Sequence, residues 1–229
     1  VQARPWRRCF ELERELDEKG KHDLAEMVHA IVPDNVNCIF VRQPRALGLG
    51  HAVLCAEPVV RREPFAVLLA DDVINASKKP AAALVEAYAA QSKTYLSVME
   101  VPLSEAPKYG MVVAGRERGE VRGLVEKPAP DAAPSRLASI GRYVLEPNIF
   151  DLLRGLAPGA GGEIQLADAI NIRAGEGHVR SVTLDGRRYD CGSKFGYLEA
   201  IVDHAFEHPE FGARFQALIE HRVRARDAA

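Results

Sequence analysis

Three aspartates follow segments that the sequence predicts to be β-strands. Asp71 and Asp72 come directly after the apolar run from Phe65 to Ala70, and Asp190 ends a second short segment. Open α/β sheets bind ligands beyond the carboxyl ends of their strands, and Mg²⁺ sites commonly combine one or two carboxylates with phosphate oxygens. Asp71 and Asp190 could therefore hold a cation together. Capping of the helix or turn that follows each strand is the alternative role.

A glutamine and two glycines lie between a predicted strand and a predicted helix. Gln43 precedes Gly48 and Gly50, and His51 opens the helix. Glycines let a ligand approach the backbone, and a glutamine amide offers a donor and an acceptor that suit the edge of a nucleobase. The spacing matches neither the GxGxxG fingerprint nor a Walker loop. A plain strand-to-helix connection remains the alternative.

Glu126 and Lys127 end another predicted strand and stand directly before Pro128. A proline favours extended backbone at the residue before it, so Lys127 is expected to be extended. Its ammonium could then bind a phosphate, while Glu126 accepts hydrogen bonds from sugar hydroxyls. An exposed pair of opposite charges with little energetic value is the alternative.

Two glycines and one glutamate occupy positions where a ligand could come close to the chain. Gly110 begins a predicted strand, and Gly141 interrupts the apolar run from Ile140 to Leu145. Glycine weakens a strand unless a ligand or another segment approaches it, so Gly141 indicates either a sugar contact or a β-bulge. The glycine-rich loop before Glu163 could cover a substrate or simply start a helix at Glu163.

The predicted elements that position these residues are typical of an α/β protein. The first half alternates strands and helices, as βαβ units do, and the second half continues with short strands in a meander. The unbroken apolar run from Phe65 to Ala70 predicts a strand buried on both faces. With 229 residues, of which 47% are hydrophobic, the chain can bury a sizeable core.

Composition excludes several kinds of partner and site. A net charge of -2 gives no field that attracts nucleic acid, and no apolar run approaches the length of a membrane span. The four cysteines are widely separated, which favours reduced thiols and a cytoplasmic protein, and the histidines lack the spacing of zinc ligands. Apolar stripes on the predicted carboxyl-terminal helices indicate either a homo-oligomer or packing on the chain itself.

In chain order, these segments resemble one family. The motifs that carry the resemblance are Gln43 with Gly48, Leu-Gly-His-Ala-Val-Leu-Cys-Ala, Leu-Leu-Ala-Asp-Asp, Lys-Tyr-Gly, Val-Glu-Lys-Pro, Ile-Gly-Arg-Tyr-Val-Leu, Pro-Gly-Ala-Gly-Gly-Glu-Ile-Gln-Leu and Tyr-Asp-Cys-Gly-Ser-Lys. Together they resemble the bacterial UTP:glucose-1-phosphate uridylyltransferases, from about Phe10 to about Phe215. The last two motifs resemble those of the UTP:glucose enzymes more than those of thymidylyl- or cytidylyl-transferring relatives.

The resemblance implies a Rossmann-like nucleotidyltransferase (GT-A-like) α/β fold with a mixed sheet flanked by helices. A single domain would span residues 1–229, with carboxyl-terminal helices over 193–226. The implied enzyme makes UDP-glucose and pyrophosphate from UTP and glucose 1-phosphate with Mg²⁺. The resemblance implies that Gln43 and Gly48 contact uracil, and that glucose is contacted by Gly110, Glu126, Gly141, Glu163 and Gln165. It implies that Lys127 binds phosphate and that Asp71 and Asp190 bind Mg²⁺. Asp71 and Lys127 would be catalytic, and Asp72 would have a supporting role.

Members of the resembled family also carry an amino-terminal loop of the form GxGTRxxPxTK, which cradles the nucleotide phosphates. No segment of this form occurs in the sequence, and residues 1–9 do not resemble it. We therefore expect the first strand or strands of the sheet to be missing. We also expect little or no transferase activity from the chain as given, because the phosphate clamp is lost. A noncatalytic sugar-nucleotide-binding subunit and an inactive fragment are the alternatives.

Overall fold

The computed structural model describes residues 4–6, 10–33 and 35–227, so the expectation for residues 1–9 lies largely outside the described residues. The strands are β1 (Arg4–Trp6), β2 (Cys38–Phe40), β3 (Phe65–Leu68), β4 (Asp72–Asn75), β5 (Thr94–Glu100), β6 (Gly110–Ala114), β7 (Val121–Glu126), β8 (Leu137–Leu145), β9 (Val179–Thr183) and β10 (Arg187–Asp190). The helices are α1 (Phe10–Glu18), α2 (His22–Ala30), α3 (Gly48–Cys55), α4 (Glu57–Val60), α5 (Pro80–Ala90), α6 (Ile149–Gly155), α7 (Leu166–Gly175), α8 (Lys194–Phe206) and α9 (Gly212–Asp227). Short 3-10 helices cover Leu103–Lys108, Pro130–Ala132 and Ala160–Gly162.

A six-stranded sheet forms the centre of the molecule. Its strands run in the order β7-β6-β8-β5-β9, and β3 pairs with β8 as well. The pair β5 and β9 is parallel, whereas β3, β5 and β6 each pair with β8 in antiparallel fashion. The sheet is therefore mixed, as the sequence predicted. Two further antiparallel pairs, β1 with β2 and β4 with β10, lie outside this sheet.

The main hydrophobic core lies between the sheet and helices α3, α6 and α7. Leu96, Val98 and Leu145 of the sheet pack there, and the ring of Phe150 in α6 stacks on Phe65 with 5.0 Å between centroids. A second cluster around Leu84 of α5 contacts the sheet through residues of β5 and β8. Helices thus flank the sheet on both faces, and β8 is held between several strands at its centre.

The prediction that the strand after residue 64 is buried on both faces is wrong. Strand β3 ends at Leu68, and its side chains alternate, with Phe65 and Val67 packed on the core while Leu68 is 53% exposed. Within the described ranges β3 has one strand partner, β8, and it packs on helices on one face. An alternating pattern is what such a strand requires.

The structure differs from the sequence-based elements at two places near the candidate site. Strand β4 was not predicted, and the helix expected from Glu163 starts only at Leu166, because Glu163 and Gln165 are extended. Gly161 and Gly162 before them have positive φ angles of 71° and 75°, which end the preceding turn. None of the helices in the described residues is both long and apolar enough to cross a bilayer.

Candidate active site

A cavity of about 340 Å³ opens where the ends of β4, β7 and β10 meet the middle of β8. Eight residues predicted to have site roles line this cavity, namely Asp71, Asp72, Gly110, Glu126, Lys127, Gly141, Gln165 and Asp190. Gln43, Gly48 and Glu163 lie beside it rather than in its wall. The structure thus brings together most of the residues that the sequence selected.

Asp71 and Asp190 are neighbours across the ribbon of β4 and β10. Strand register pairs Asp190 with Asp72, and the N–H of Cys191 donates to the carbonyl oxygen of Asp71 at 2.8 Å. Both carboxylates converge on Gly192, where an added Cβ would lie 2.7 Å from Oδ2 of Asp71 and 3.2 Å from Oδ1 of Asp190. Two carboxylate oxygens therefore face one small space, and their role as cation ligands stays a prediction.

Neither aspartate serves as a helix cap. Asp71 precedes strand β4, and helix α8 is capped by Ser193, whose hydroxyl accepts a hydrogen bond from the N–H of Gly196 at 3.0 Å. The Asp190 side chain accepts from the N–H of Gly192, at 3.2 Å, and its carbonyl oxygen accepts from Ser193. Helix capping is therefore not realised, whereas the Asp190 carboxylate does take part in the turn before α8. Asp71 and Asp190 still keep oxygens available to a ligand.

Arg142 holds the turn that presents Asp71. Its Nη1 donates to the carbonyl oxygens of Leu69 at 2.7 Å and of Gly141 at 3.0 Å, and its Nη2 donates to the carbonyl oxygen of Asp72. The N–H of Leu69 in turn donates to the carbonyl oxygen of Gly141 at 2.8 Å. The main chain around Asp71 is thus fixed to β8 by a side chain and by a backbone hydrogen bond.

Asp72 is buried and paired, as expected for a supporting residue. Its Oδ1 accepts from Nε of Arg188, and its Oδ2 accepts from the N–H of Gly141 at 2.9 Å. Arg188 also donates from Nη1 to the hydroxyl of Tyr109 at 2.9 Å, and its guanidinium lies 5.0 Å from the centroid of that ring. Arg188 therefore joins the acidic turn to the loop before β6.

The pKa values of this cluster follow from burial and charge. Burial works to lower the pKa of Arg188, but the charge of Asp72 outweighs it with the help of Tyr109, so the pKa of Arg188 rises above its usual range. Burial raises the pKa of Tyr109, and it raises that of Tyr143, which lines the cavity beside Gly141. Both phenols are therefore neutral hydrogen-bonding groups at physiological pH.

Gly141 lies in a β-bulge. The partners of β5 jump from Tyr143 opposite Leu96 to Ile140 opposite Ser97, and the Ser97 hydroxyl is 3.0 Å from the carbonyl oxygens of Ile140 and Arg142. A Cβ added at Gly141 would lie 2.2 Å from Oδ2 of Asp72. The bulge is thus observed, and the close neighbour of Gly141 within the protein is a carboxylate. Contact of Gly141 with glucose stays a prediction.

Gly110 and Glu126 face each other across β6 and β7, and Oε2 of Glu126 lies 3.1 Å from the position of a Cβ on Gly110. The missing side chain at Gly110 thus leaves room for the Glu126 carboxylate over the strand. Glu126 is also 3.9 Å from the ammonium of Lys127, in an exposed contact. The end of β7 thus presents one carboxylate and one ammonium group to the cavity.

The prediction of extended backbone at Lys127 is wrong. Its φ angle is 46°, in the left-handed region that non-glycine residues seldom occupy. The Lys127 N–H donates to the carbonyl oxygen of Tyr109 at 2.9 Å, and this tertiary hydrogen bond overrides the local preference of a residue before proline. Backbone strain of this kind concentrates at functional sites, and here it occurs at Lys127, whose exposed side chain lines the cavity at the end of β7.

The Gln43 segment reaches the cavity through a short chain of contacts. Gln43 donates from Nε2 to the carbonyl oxygen of Gly48 at 3.1 Å. Gly48, with a φ angle of 87°, lies so close to Glu163 that an added Cβ would be 2.8 Å from the Cβ of Glu163. The Glu163 carboxylate accepts from Nε2 of Gln165 at 2.7 Å, and Gln165 lines the cavity.

Sequence reasoning missed Arg142, Tyr143 and Arg188 as parts of this site. The signal for Arg188 was the alternation of side chains along a strand, because Arg188 stands two positions from Asp190 in β10. Tyr143 gave no such signal, because the bulge at Gly141 interrupts the alternation along β8.

Comparison with known proteins identifies the family to which the chain is similar. A family model described as nucleotidyl transferase matches residues 7–206. The chain is 39% identical over 222 residues to the UTP–glucose-1-phosphate uridylyltransferase of Haemophilus ducreyi, covering 92% of this chain and 75% of that protein. It is 40% identical over 225 residues to the enzyme of the same name from Escherichia coli K12, covering 93% and 74%.

Solved structures agree with these relatives. A UDP-glucose pyrophosphorylase from Acinetobacter baumannii superposes with a TM-score of 0.83 at 39% identity, covering 94% of this chain and 76% of that one. A UTP-bound structure of this enzyme gives a TM-score of 0.83 at 40% identity, covering 93% and 75%. The similarity thus extends over nearly the whole of this chain and about three quarters of each relative.

Proposed function

Because the chain belongs to the nucleotidyl transferase family, and within it to the UTP–glucose-1-phosphate uridylyltransferases, we propose that it transfers UMP from UTP to glucose 1-phosphate. The products are UDP-glucose and pyrophosphate. The observation that carries this proposal is that Asp71 and Asp190 line the same cavity as Glu126 and Lys127. That set offers ligands for a cation, for sugar hydroxyls and for a phosphate.

In the proposed reaction, a phosphate oxygen of glucose 1-phosphate attacks the α-phosphorus of UTP. A new P–O bond forms as the bond to the departing pyrophosphate breaks, so atoms and charges balance without an added acid or base. Such phosphoryl transfers depend mainly on positioning and on neutralising charge. Lys127 supplies a positive charge to the phosphate, and the strained turn at its backbone holds it at the cavity mouth.

Asp71 and Asp190 fit the Mg²⁺ that we propose for this reaction. Their oxygens Oδ2 and Oδ1 converge on the same point beside Gly192, and carboxylate oxygens are the hard ligands that Mg²⁺ prefers. No cluster of three or more histidine, cysteine, aspartate or glutamate side chains in the described residues could enclose a metal alone. When bound, Mg²⁺ would neutralise the charge of the phosphate oxygens. Asp71 and Asp190 would hold it, and Asp72 remains paired with Arg188.

For the substrates themselves, we propose that Gln43 and Gly48 contact uracil, and that Gly110, Glu126, Gly141 and Glu163 contact glucose. The carboxylate of Glu126 lies over Gly110 and accepts hydrogen bonds from sugar hydroxyls. Glu163, which accepts from Gln165, supports the sugar side rather than entering the cavity wall. Free thiols at Cys38, Cys55 and Cys191 support the proposed cytoplasmic location.

We further propose that the chain self-associates through its carboxyl-terminal helices. Phe195 is 73% exposed and Leu198 is 57% exposed, and both lie in α8. Large exposed apolar side chains on adjacent turns are typical of an interface. Light scattering of the chain beside the variant Phe195→Glu measures this association, and a monomer in both samples would contradict it.

The proposed activity is tested by formation of UDP-glucose from UTP and glucose 1-phosphate with Mg²⁺, together with calorimetric binding of UDP-glucose. Turnover that Asp71→Asn removes supports the transferase. Binding without turnover supports the noncatalytic sugar-nucleotide-binding alternative. If the chain shows no binding and no turnover, both functions are contradicted.

A further inference from the structure

His51 contacts Gln43, the residue proposed to bind uracil. Nε2 of Gln43 lies 3.1 Å from the carbonyl oxygen of Gly48 and 2.9 Å from Nδ1 of His51. A carbonyl oxygen only accepts hydrogen bonds, so the amide nitrogen of Gln43, and not its oxygen, must face Gly48. The hydrogen bond to Gly48 therefore determines which end of the Gln43 amide faces the protein.

The same nitrogen determines the state of His51. With Nε2 of Gln43 as the donor, Nδ1 of His51 must be the acceptor in this contact. Both hydrogens of the amide are then used inside the protein. The Gln43 oxygen has no hydrogen-bond partner elsewhere in the described chain. Gln43 thus presents a single acceptor and no donor to a ligand.

We propose that His51 is a positioning residue that makes the site select uracil over cytosine, an inference that rests on the proposed function. Uracil carries a hydrogen on ring nitrogen N3, which donates to the Gln43 oxygen. Cytosine carries a lone pair at N3, so two acceptors would oppose each other. Sites built around one hydrogen bond reject an analogue that cannot form it. His51 acts here through Gln43, because its Nδ1 accepts the second amide hydrogen and so adds to the Gly48 hydrogen bond in keeping the amide from turning over.

Cys55 is the other group near this histidine nitrogen. Its sulfur lies 3.9 Å from Nδ1 of His51, one helical turn away in α3. Nδ1 has one lone pair, and a thiol is a weak donor, so the shorter contact from Gln43 takes it. Cys55 therefore offers a control, because its removal changes the surroundings of His51 without touching the bond to Gln43.

The experiment is calorimetric binding of UDP-glucose and of CDP-glucose to the full chain and to three variants. We expect the unaltered chain to prefer UDP-glucose. His51→Leu introduces an apolar side chain of similar size and removes the acceptor. The preference for UDP-glucose over CDP-glucose should then fall about three- to tenfold, through weaker UDP-glucose binding. His51→Asn places an amide oxygen near the lost nitrogen and restores most of the preference. Cys55→Ala leaves the preference unchanged.

Several outcomes would overturn the inference. An unchanged preference in His51→Leu means that His51 does not orient Gln43. Equal loss of affinity for both sugar nucleotides means that His51 only supports packing, and a thermal unfolding midpoint measured alongside shows whether the variant is folded. No binding of UDP-glucose by the unaltered chain would overturn the proposed function, and this inference with it. Binding by the unaltered chain with no UDP preference would overturn this inference alone.

Discussion

Arg188 and Asp72 form an ion pair under the cavity, with side chains that are only 11% and 6% exposed. The second oxygen of Asp72 accepts from the Gly141 N–H, and Arg188 uses another nitrogen for the Tyr109 hydroxyl. The pair therefore connects the turn that carries Asp71 to the loop that precedes Gly110. Both walls of the proposed substrate site depend on it.

Removing one member of this pair should destabilise the protein more than removing both. Arg188→Met leaves Asp72 buried with an uncompensated charge, so we expect a loss of about 3–5 kcal/mol in the free energy of unfolding. The double variant Asp72→Asn, Arg188→Met should lose less than Arg188→Met alone, because no buried charge is then left without a partner. Urea unfolding of the four proteins measures this coupling, and strict additivity would contradict it.

Loss of either proposed metal ligand should abolish catalysis. Asp71→Asn and Asp190→Asn each replace a carboxylate with a neutral amide, so we expect a fall in kcat of about a hundredfold or more and a higher Mg²⁺ requirement. UDP-glucose formation over a series of Mg²⁺ concentrations measures both effects. Chelation with EDTA should stop the unaltered enzyme, and added Mg²⁺ should restore it. The exposed Asp185, replaced in Asp185→Asn, is the control.

Lys127→Gly should separate stability from activity. Glycine relieves the φ angle of 46°, and we expect the free energy of unfolding to rise by about 0.5–1 kcal/mol while turnover falls with the loss of the ammonium. Lys127→Ala keeps the strain and loses the charge, so it should be inactive without being stabilised. Arg61→Gly relieves a φ angle of 61° outside the cavity wall and should leave turnover unchanged. Full activity in Lys127→Gly would contradict the proposed phosphate role.

Gly141→Ala should damage the bulge. The new methyl group would meet Asp72 Oδ2 at 2.2 Å and the Leu69 Cβ at 2.7 Å, and Arg188 prevents the Asp72 carboxylate from moving away. We expect a loss of about 1–3 kcal/mol in stability by thermal or urea unfolding, together with weaker activity. Gly155→Ala is the matched control, because nothing lies within 4 Å of its added methyl group. Equal stability in both variants would contradict the packing argument.

Stability should fall at alkaline pH. Burial raises the pKa of Tyr143 above the ordinary tyrosine value of 10.0, so above about pH 10 the folded protein holds a proton that the unfolded chain has released. This contribution is complete below pH 10 and is lost as the pH rises through the folded value. Urea unfolding between pH 8 and pH 11 measures the slope. Tyr143→Phe should make the decline shallower, and an unchanged slope would count against a buried phenol.

The sequence was sufficient to select most of the cavity wall. Asp71, Glu126 and Lys127 end apolar segments and Asp190 ends a short polar one, and strand direction predicts that the ends of such segments lie at one edge of a sheet. Gly141 was open to two interpretations, and the register of β8 shows that the bulge exists. The order of the motifs along the chain therefore carried the prediction, because each residue alone was also explained by a cap, a loop or a surface ion pair.

What the sequence did not reveal depends on contacts between distant segments. Arg188 in a short strand cannot be distinguished from a surface arginine until Asp72 is placed beside it. Strand β4 contains only two consecutive apolar residues, Val73 and Ile74, and it forms because β10 pairs with it. The backbone of Lys127 follows the hydrogen bond that its N–H donates to the Tyr109 carbonyl oxygen, rather than the rule for residues before proline.

The ribbon of β4 and β10 brings together Asp71 from the first half of the chain and Asp190, directly before α8. The Asp190 carbonyl oxygen accepts from both the N–H and the hydroxyl of Ser193, the residue that caps α8. A ligand bound across the two carboxylates would therefore also fasten the start of α8. Binding and local unfolding of this helix are then thermodynamically linked, and slower amide hydrogen exchange in α8 would report substrate occupancy from a distance.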